Sequence, residues 1–204
     1  GCLFCATGRQ GFQGNLDPGE ILNQVASLPE REFRNGLAEV IKSAAIRDEG
    51  FFHYLETEMD RVKERDNAVL EKVVAVTAGI KSAVVQEDER DQGIRNILNY
   101  GHTVGHGVES ASAFALCHGE AVAVGMVAAA RMAAAMGLCE PTHVERLRDL
   151  LLRAGLPVAM PEGMDLRAVA AAMSRDKKLL KGRLRFVLPT RIGDVVVRDD
   201  VPAQ

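Results

Sequence analysis

Ten consecutive apolar residues, AVAVGMVAAA from Ala121 to Ala130, constrain this chain more than any other stretch. They follow His118 and Glu120 and end at Arg131. A bilayer-spanning helix needs about 20 such residues, so the segment predicts a helix buried on most sides inside a soluble core. With 204 residues and 47% hydrophobic content, the chain can fill one good-sized core or two small ones.

Charge and composition then exclude several functions. A net charge of −3 and a pI near 6.0 argue against a broad nucleic-acid footprint, and 4% aromatics without Trp argue against base-stacking platforms. Neither a charged-then-apolar leader nor a membrane span is visible. Four irregularly placed cysteines make no disulfide framework, which predicts a reducing, cytoplasmic setting.

Helix signals fill most of the chain. DPGEILNQV starts with Asp17 as cap and Pro18 in the first turn; Ser27-Leu28-Pro29-Glu30 starts a second helix through REFRNGLAEVIKSAAI. Phe52, Leu55, Met59 and Val62 recur at helical spacing. NAVLEKVVAVTAGIKSAVVQEDERD reads as one long helix, and PTHVERLRDLLLRAG and MDLRAVAAAMSRDKK as two shorter ones. β structure is expected at the end alone, where RLRFVL and DVVVRD flank the turn residues PTRIG. No βαβ alternation and no strand–GxGxxG–helix fingerprint occurs. The expected fold class is mainly α with a small terminal β-hairpin.

One polar stripe stands out. Arg95, Asn99, His102, His106 and Glu109 follow a spacing of 4, 3, 4, 3, which predicts one face of one helix. Ile94, Leu98 and Val108 fall on the opposite face. A solvated face favours Lys and Glu, whereas this one carries two imidazoles, an amide and a guanidinium. Gly101, Gly105 and Gly107 lie among them, each costing about 1 kcal/mol of helix propensity, which points to close approach of backbone, ligand or a neighbouring helix. His102 and His106 are spaced to hold zinc as an i, i+4 pair; alternatively one is a ligand and the other faces a substrate. His118 opens the next helix, and Glu39 and Lys42 share a face of LAEVIK. Buried carboxylates need a partner or a metal, and His-plus-carboxylate sets suit zinc.

Together, FRNGLAEVIK, the run from Lys81 through DER to GIRNILNYGHTVGH, HGEAVAVGM and DKK-x3-GRLRFVLPTRIG resemble the C-terminal domain of 3-dehydroquinate synthases. The resemblance spans about Leu28 to Val201. It implies that Glu39, His102 and His118 hold zinc, or cobalt in its place. It implies that Lys42, His106 and Asn99 are catalytic, with His106 and Asn99 at the substrate's phosphate and Lys42 near the metal. Lys81 and Arg95 would hold a carboxylate, Asp91 stands where the family has an acidic residue, and Lys177 or Lys178 would add charge at the phosphate. The implied reaction turns 3-deoxy-D-arabino-heptulosonate 7-phosphate into 3-dehydroquinate and phosphate, in the shikimate route, with transient oxidation by NAD. The family's NAD-binding α/β domain is expected to be absent, leaving NAD-contacting residues unknown and no turnover by the chain alone. A homodimer or a separate N-terminal domain is the expected partner, besides a sugar phosphate; no nucleic acid or membrane is expected.

Residues 1–26 fit a different pattern. Cys2, Cys5, ATG and GFQGNL resemble the cluster loop of radical-SAM ribosomal-RNA adenine methyltransferases, C-x3-C-x2-C, without its first cysteine. No cluster is expected there, and the first 25 residues are expected to add little to folding. Residues 27–204 form the expected metal- and substrate-binding domain. Two other readings are a related sugar phosphate cyclase and a non-catalytic zinc-binding helical domain.

Overall fold

A computed structural model describes residues 18–88, 93–113, 115–175 and 184–201. Eight α-helices, one 3-10 helix and a two-stranded hairpin follow in chain order among them. They are α1 (Pro18–Ala26), α2 (Glu30–Arg47), α3 (Glu49–Lys63), α4 (Asn67–Glu87), the 3-10 helix (Ile94–Asn99), α5 (His102–Ala111), α6 (His118–Ala135), α7 (Pro141–Arg153) and α8 (Leu166–Arg175). Strands β1 (Phe186–Arg191) and β2 (Asp194–Arg198) pair antiparallel, with Leu188 opposite Val196. The mainly α fold with one terminal hairpin is as expected.

Local chemistry explains several helix boundaries. Asp48 caps α3 by accepting from Phe51 N at 2.8 Å, and Asp66 caps α4 by accepting from Val69 N at 3.1 Å. Glycine at φ +76° closes α7 at Gly155. The apolar run becomes α6, which is buried from Ala121 through Val127. This helix packs against α2, α5, α7 and β1 and forms the centre of the core. No helix among the described residues is long and apolar enough to cross a membrane.

Three features differ from the sequence reading. The polar stripe is not one helix: the 3-10 helix ends at Asn99, and Gly101 at φ +78° breaks the chain before α5 starts at His102. Arg95 and Asn99 therefore belong to a different element from His102, His106 and Glu109, and Ile94 is 39% exposed rather than buried. Strand β1 runs through Pro189, Thr190 and Arg191, so the hairpin turn is Ile192-Gly193 and not PTRIG. Gly193 at φ +86° donates its N–H to the Ala45 carbonyl at 2.9 Å, docking the turn on α2. Finally, α1 buries Val25 in the common core, with Ile21 and Leu22 packed alongside. Arg65 donates to the Ala26 carbonyl at 2.6 Å. The end of the opening segment thus joins the core, whereas Asp17, Cys2 and Cys5 lie outside the described residues.

The glycines of the 101–107 segment serve helix approach. A Cβ on Gly125 would collide with the Gly101 carbonyl, and one on Gly105 would lie 3.0 Å from the Ala121 carbonyl. Gly107 meets α8 instead, where a Cβ would lie 2.7 Å from Met173 Cγ. Backbone contact at Gly101, Gly105 and Gly125 brings the start of α5 against the first half of α6.

Candidate metal centre

Glu39 sits two turns into the buried part of α2, His102 is the first residue of α5, and His118 is the first residue of α6. Their ligand atoms all lie within 4.8 Å of one another. His102 Nε2 is 3.7 Å from Glu39 Oε1, and His118 Nε2 is 3.9 Å from the same oxygen. Tetrahedral ligands at about 2.0–2.1 Å from a shared zinc lie about 3.3–3.4 Å apart, so the two Glu39–imidazole distances would each close by a few tenths of an ångström around an ion.

The two oxygens of Glu39 are treated differently. Oε2 accepts from Lys42 Nζ at 2.8 Å, and Lys42 also donates to the Leu98 carbonyl at 2.8 Å. Oε1 is buried and has no hydrogen-bond partner among the described residues. An unpaired buried carboxylate oxygen is costly. Burial pushes the Glu39 carboxyl up, but Lys42 and the neighbouring imidazoles outweigh it, and the net shift is down. The group is a carboxylate at neutral pH.

His102 has its Nδ1 3.1 Å from the Tyr100 carbonyl. A carbonyl accepts, so Nδ1 carries the proton and Nε2 keeps its lone pair. Burial, reinforced by Lys42, pushes the His102 pKa down to about 3. Its Nε2 lone pair and the unpaired Glu39 oxygen therefore face one another with no proton between them. Such an arrangement is repulsive alone and suits a divalent cation, whose ligands must be deprotonated.

Supporting contacts place His118. Arg31 of α2 forms a two-point bridge to Glu120, at 3.1 and 2.8 Å, and donates to the Ala115 carbonyl at 2.9 Å. Glu120 in turn accepts from Cys117 N at 2.8 Å, and Gly119 N donates to Asn35 Oδ1. Sequence spacing could not single out Arg31 or Asn35, because their partners lie on other elements, whereas Glu120 stands three residues after the N-cap Cys117, at capping-box spacing.

His106, one turn beyond His102, joins the same imidazole cluster, with ring centroids 5.3 Å from His102 and 5.9 Å from His118. His106, Glu109 and His118 form a second close group. Asn99 lines a narrow seam with Gly101, Thr103, Phe186 and Val187. Thr103 donates to the Arg185 carbonyl at 2.9 Å, so the approach to β1 holds the first turn of α5. Lys81 lies on α4 and half-buried Arg95 on the adjoining 3-10 helix. Asp88 joins these elements by accepting from Gly93 N at 2.7 Å and Arg95 N at 3.1 Å. Asp91, Lys177 and Lys178 lie outside the described residues.

Fold and site define a helical domain with a His–His–Glu cluster suited to a divalent metal. Residues 36–179 match the family model of the 3-dehydroquinate synthase C-terminal domain, and the chain belongs to that family. It is 47% identical over 175 residues to the 3-dehydroquinate synthase of Dehalococcoides mccartyi strain CBDB1, covering 86% of this chain and 48% of the relative. It is 49% identical over 176 residues to that of Symbiobacterium thermophilum, with 86% and 49% covered. The chain thus spans about half the length of the curated relatives it matches. Among solved structures, the 2-epi-5-epi-valiolone synthase ValA of Streptomyces hygroscopicus subsp. jinggangensis 5008, with NAD+ and Zn2+ bound, superposes with a TM-score of 0.80 at 29% identity. The match covers 91% of this chain and 51% of that one. A 2-deoxy-scyllo-inosose synthase shares the fold at a TM-score of 0.75 and 24% identity, with 88% and 50% covered.

Proposed function

We propose that this chain supplies the metal- and substrate-binding half of a cytoplasmic 3-dehydroquinate synthase, a phosphate-eliminating carbon–oxygen lyase. Its substrate is 3-deoxy-D-arabino-heptulosonate 7-phosphate. The observation that carries the reading is the unpaired, buried Oε1 of Glu39 facing the Nε2 atoms of His102 and His118. These three residues would hold zinc, a three-ligand protein set of the kind that catalytic zinc sites use. The relatives' shared name and their 45–49% identity support this substrate over those of other cyclases. The free thiols of Cys117 and Cys139 fit a reducing compartment.

Zinc, if bound there, would supply Lewis-acid polarisation of a substrate hydroxyl, and NAD would supply the hydride chemistry. The chain's own groups bind and orient. Lys42 holds Glu39 ionised and in register, and its two hydrogen bonds fix the ammonium beside the site. His106 and Asn99 receive the phosphate, with Lys177 or Lys178 adding charge. Lys81 and Arg95 clamp the carboxylate, a task a guanidinium fork performs well, and Asp91 stands where the family has an acidic residue. Holding the leaving phosphate near the carbon that loses a proton lets the substrate's own phosphate act as base.

Metal analysis and phosphate release test this together. Purified chain should carry one zinc, lost in His118→Ala and Glu39→Ala and kept in Cys2→Ser. Phosphate release with NAD and zinc should appear when an N-terminal 3-dehydroquinate synthase domain is added in trans, and not without it. Zinc retained in His118→Ala would sink the ligand assignment. Zinc binding with no release under either condition would favour a non-catalytic zinc domain.

A further inference from the structure

Glu109 takes no part in the proposed ligand set, yet it stands behind one member of it. Its Oε2 lies 3.4 Å from His118 Nδ1, on the side of the ring opposite the Nε2 that faces Glu39. The two groups come from different helices, Glu109 from the last turn of α5 and His118 from the start of α6. His102 has the equivalent support from the Tyr100 carbonyl. Each imidazole thus has an acceptor at Nδ1 and the shared carboxylate oxygen at Nε2. The supports differ in one respect: Tyr100 offers a neutral backbone carbonyl, and Glu109 offers a side-chain carboxylate, both members of its pair being partly exposed.

We propose that Glu109 is a positioning residue for the metal site, setting the His118 ring by accepting its Nδ1–H and so leaving the Nε2 lone pair for the ion. The proposal rests on the reading of Glu39, His102 and His118 as metal ligands. A carboxylate at this place fixes the tautomer and the ring orientation and raises the basicity of the ligating nitrogen. Removal of such a partner typically costs about 10- to 100-fold in metal affinity. The same close approach of Glu109, His106 and His118 would also suit a second cation on Nδ1. The Nδ1 atom cannot donate to Glu109 and bind that cation at once, so the two arrangements are exclusive.

The test is zinc titration of the full chain against a competing chelator, with cobalt absorption spectra of the substituted protein. Glu109→Ala should bind zinc about 10- to 100-fold more weakly and shift the cobalt bands. Glu109→Gln, which keeps an acceptor oxygen without the charge, should recover part of the loss. The thermal midpoint of the metal-free protein reports whether either variant is misfolded, and it should be unchanged in Glu109→Gln. Zinc lost in His118→Ala but bound at wild-type affinity by a folded Glu109→Ala would overturn the Glu109 assignment alone. Undiminished zinc in His118→Ala would overturn the ligand set and this inference with it. Two zinc ions per wild-type chain, with one lost in Glu109→Gln, would replace positioning by a second metal site.

Discussion

At the scale of single residues, the two oxygens of Glu39 and the neutral ring of His102 determine how the metal-free protein responds to acid. His102 is held at a pKa of about 3, against an ordinary value of 6.5, so over that interval the unfolded chain binds a proton that the folded chain refuses. Stability therefore falls as pH drops below about 6.5 and goes on falling towards 3. Glu39 acts in the same direction: its depressed pKa gives stability that is present above the unfolded value and lost as pH falls through the folded one. The His102 contribution alone is on the order of a few kcal/mol. Denaturant midpoints of metal-free protein should decline steadily between pH 7 and 4.5, and His102→Gln, which cannot titrate, should show a shallower decline. Equal slopes in the two proteins would show that His102 is not held neutral by burial.

At the scale of elements, the site depends on how closely α5 and α6 approach. Gly125 lies against the backbone of Gly101 and Gly105, one turn from His102, with no flexible side chain to yield. Gly125→Ala should cost about 3 kcal/mol or more, at the upper end of overpacking effects. Prising the helices apart should also weaken zinc binding. Gly79 offers the opposite case. It lies within α4, and a Cβ there meets nothing within 4 Å, so Gly79→Ala should stabilise by about 0.5–1 kcal/mol. Urea unfolding of both variants measures the contrast. A neutral Gly125→Ala would mean that the two helices can separate without loss, contrary to the packing described.

Across the whole molecule, the proposed ligands at positions 39, 102 and 118 lie on three elements that meet around α6. The opening segment joins the same core through α1. Val25 is 6% exposed, and Ile21 and Leu22 cover part of the surface around it. Deleting residues 1–17 spares these contacts, while deleting residues 1–26 removes them. The longer truncation should lose about 2–3 kcal/mol relative to the shorter, the value of burying one Val side chain with its neighbours. Thermal melts of the two truncated proteins check this, and identical midpoints would show that α1 is dispensable.

The sequence by itself determined the helical character, the burial of the Ala121–Ala130 run, the terminal hairpin and the identity of the residues gathered at the centre. These follow from periodicity, turn chemistry and the unusual presence of His, Glu and Lys in apolar surroundings, all of which are local. Periodicity also misled: Arg95 to Glu109 keeps a helical spacing, but Gly101 at φ +78° ends one element and starts another within it. The spacing alone left His102 and His106 equally matched as a pair. Tertiary structure brought Glu39 and His118 to the Nε2 side of His102, left Oε1 unpaired, and set Glu109 behind His118. Those relations join residues 63, 16 and 9 positions apart across separate helices, and they depend on packing around α6, which no local pattern records.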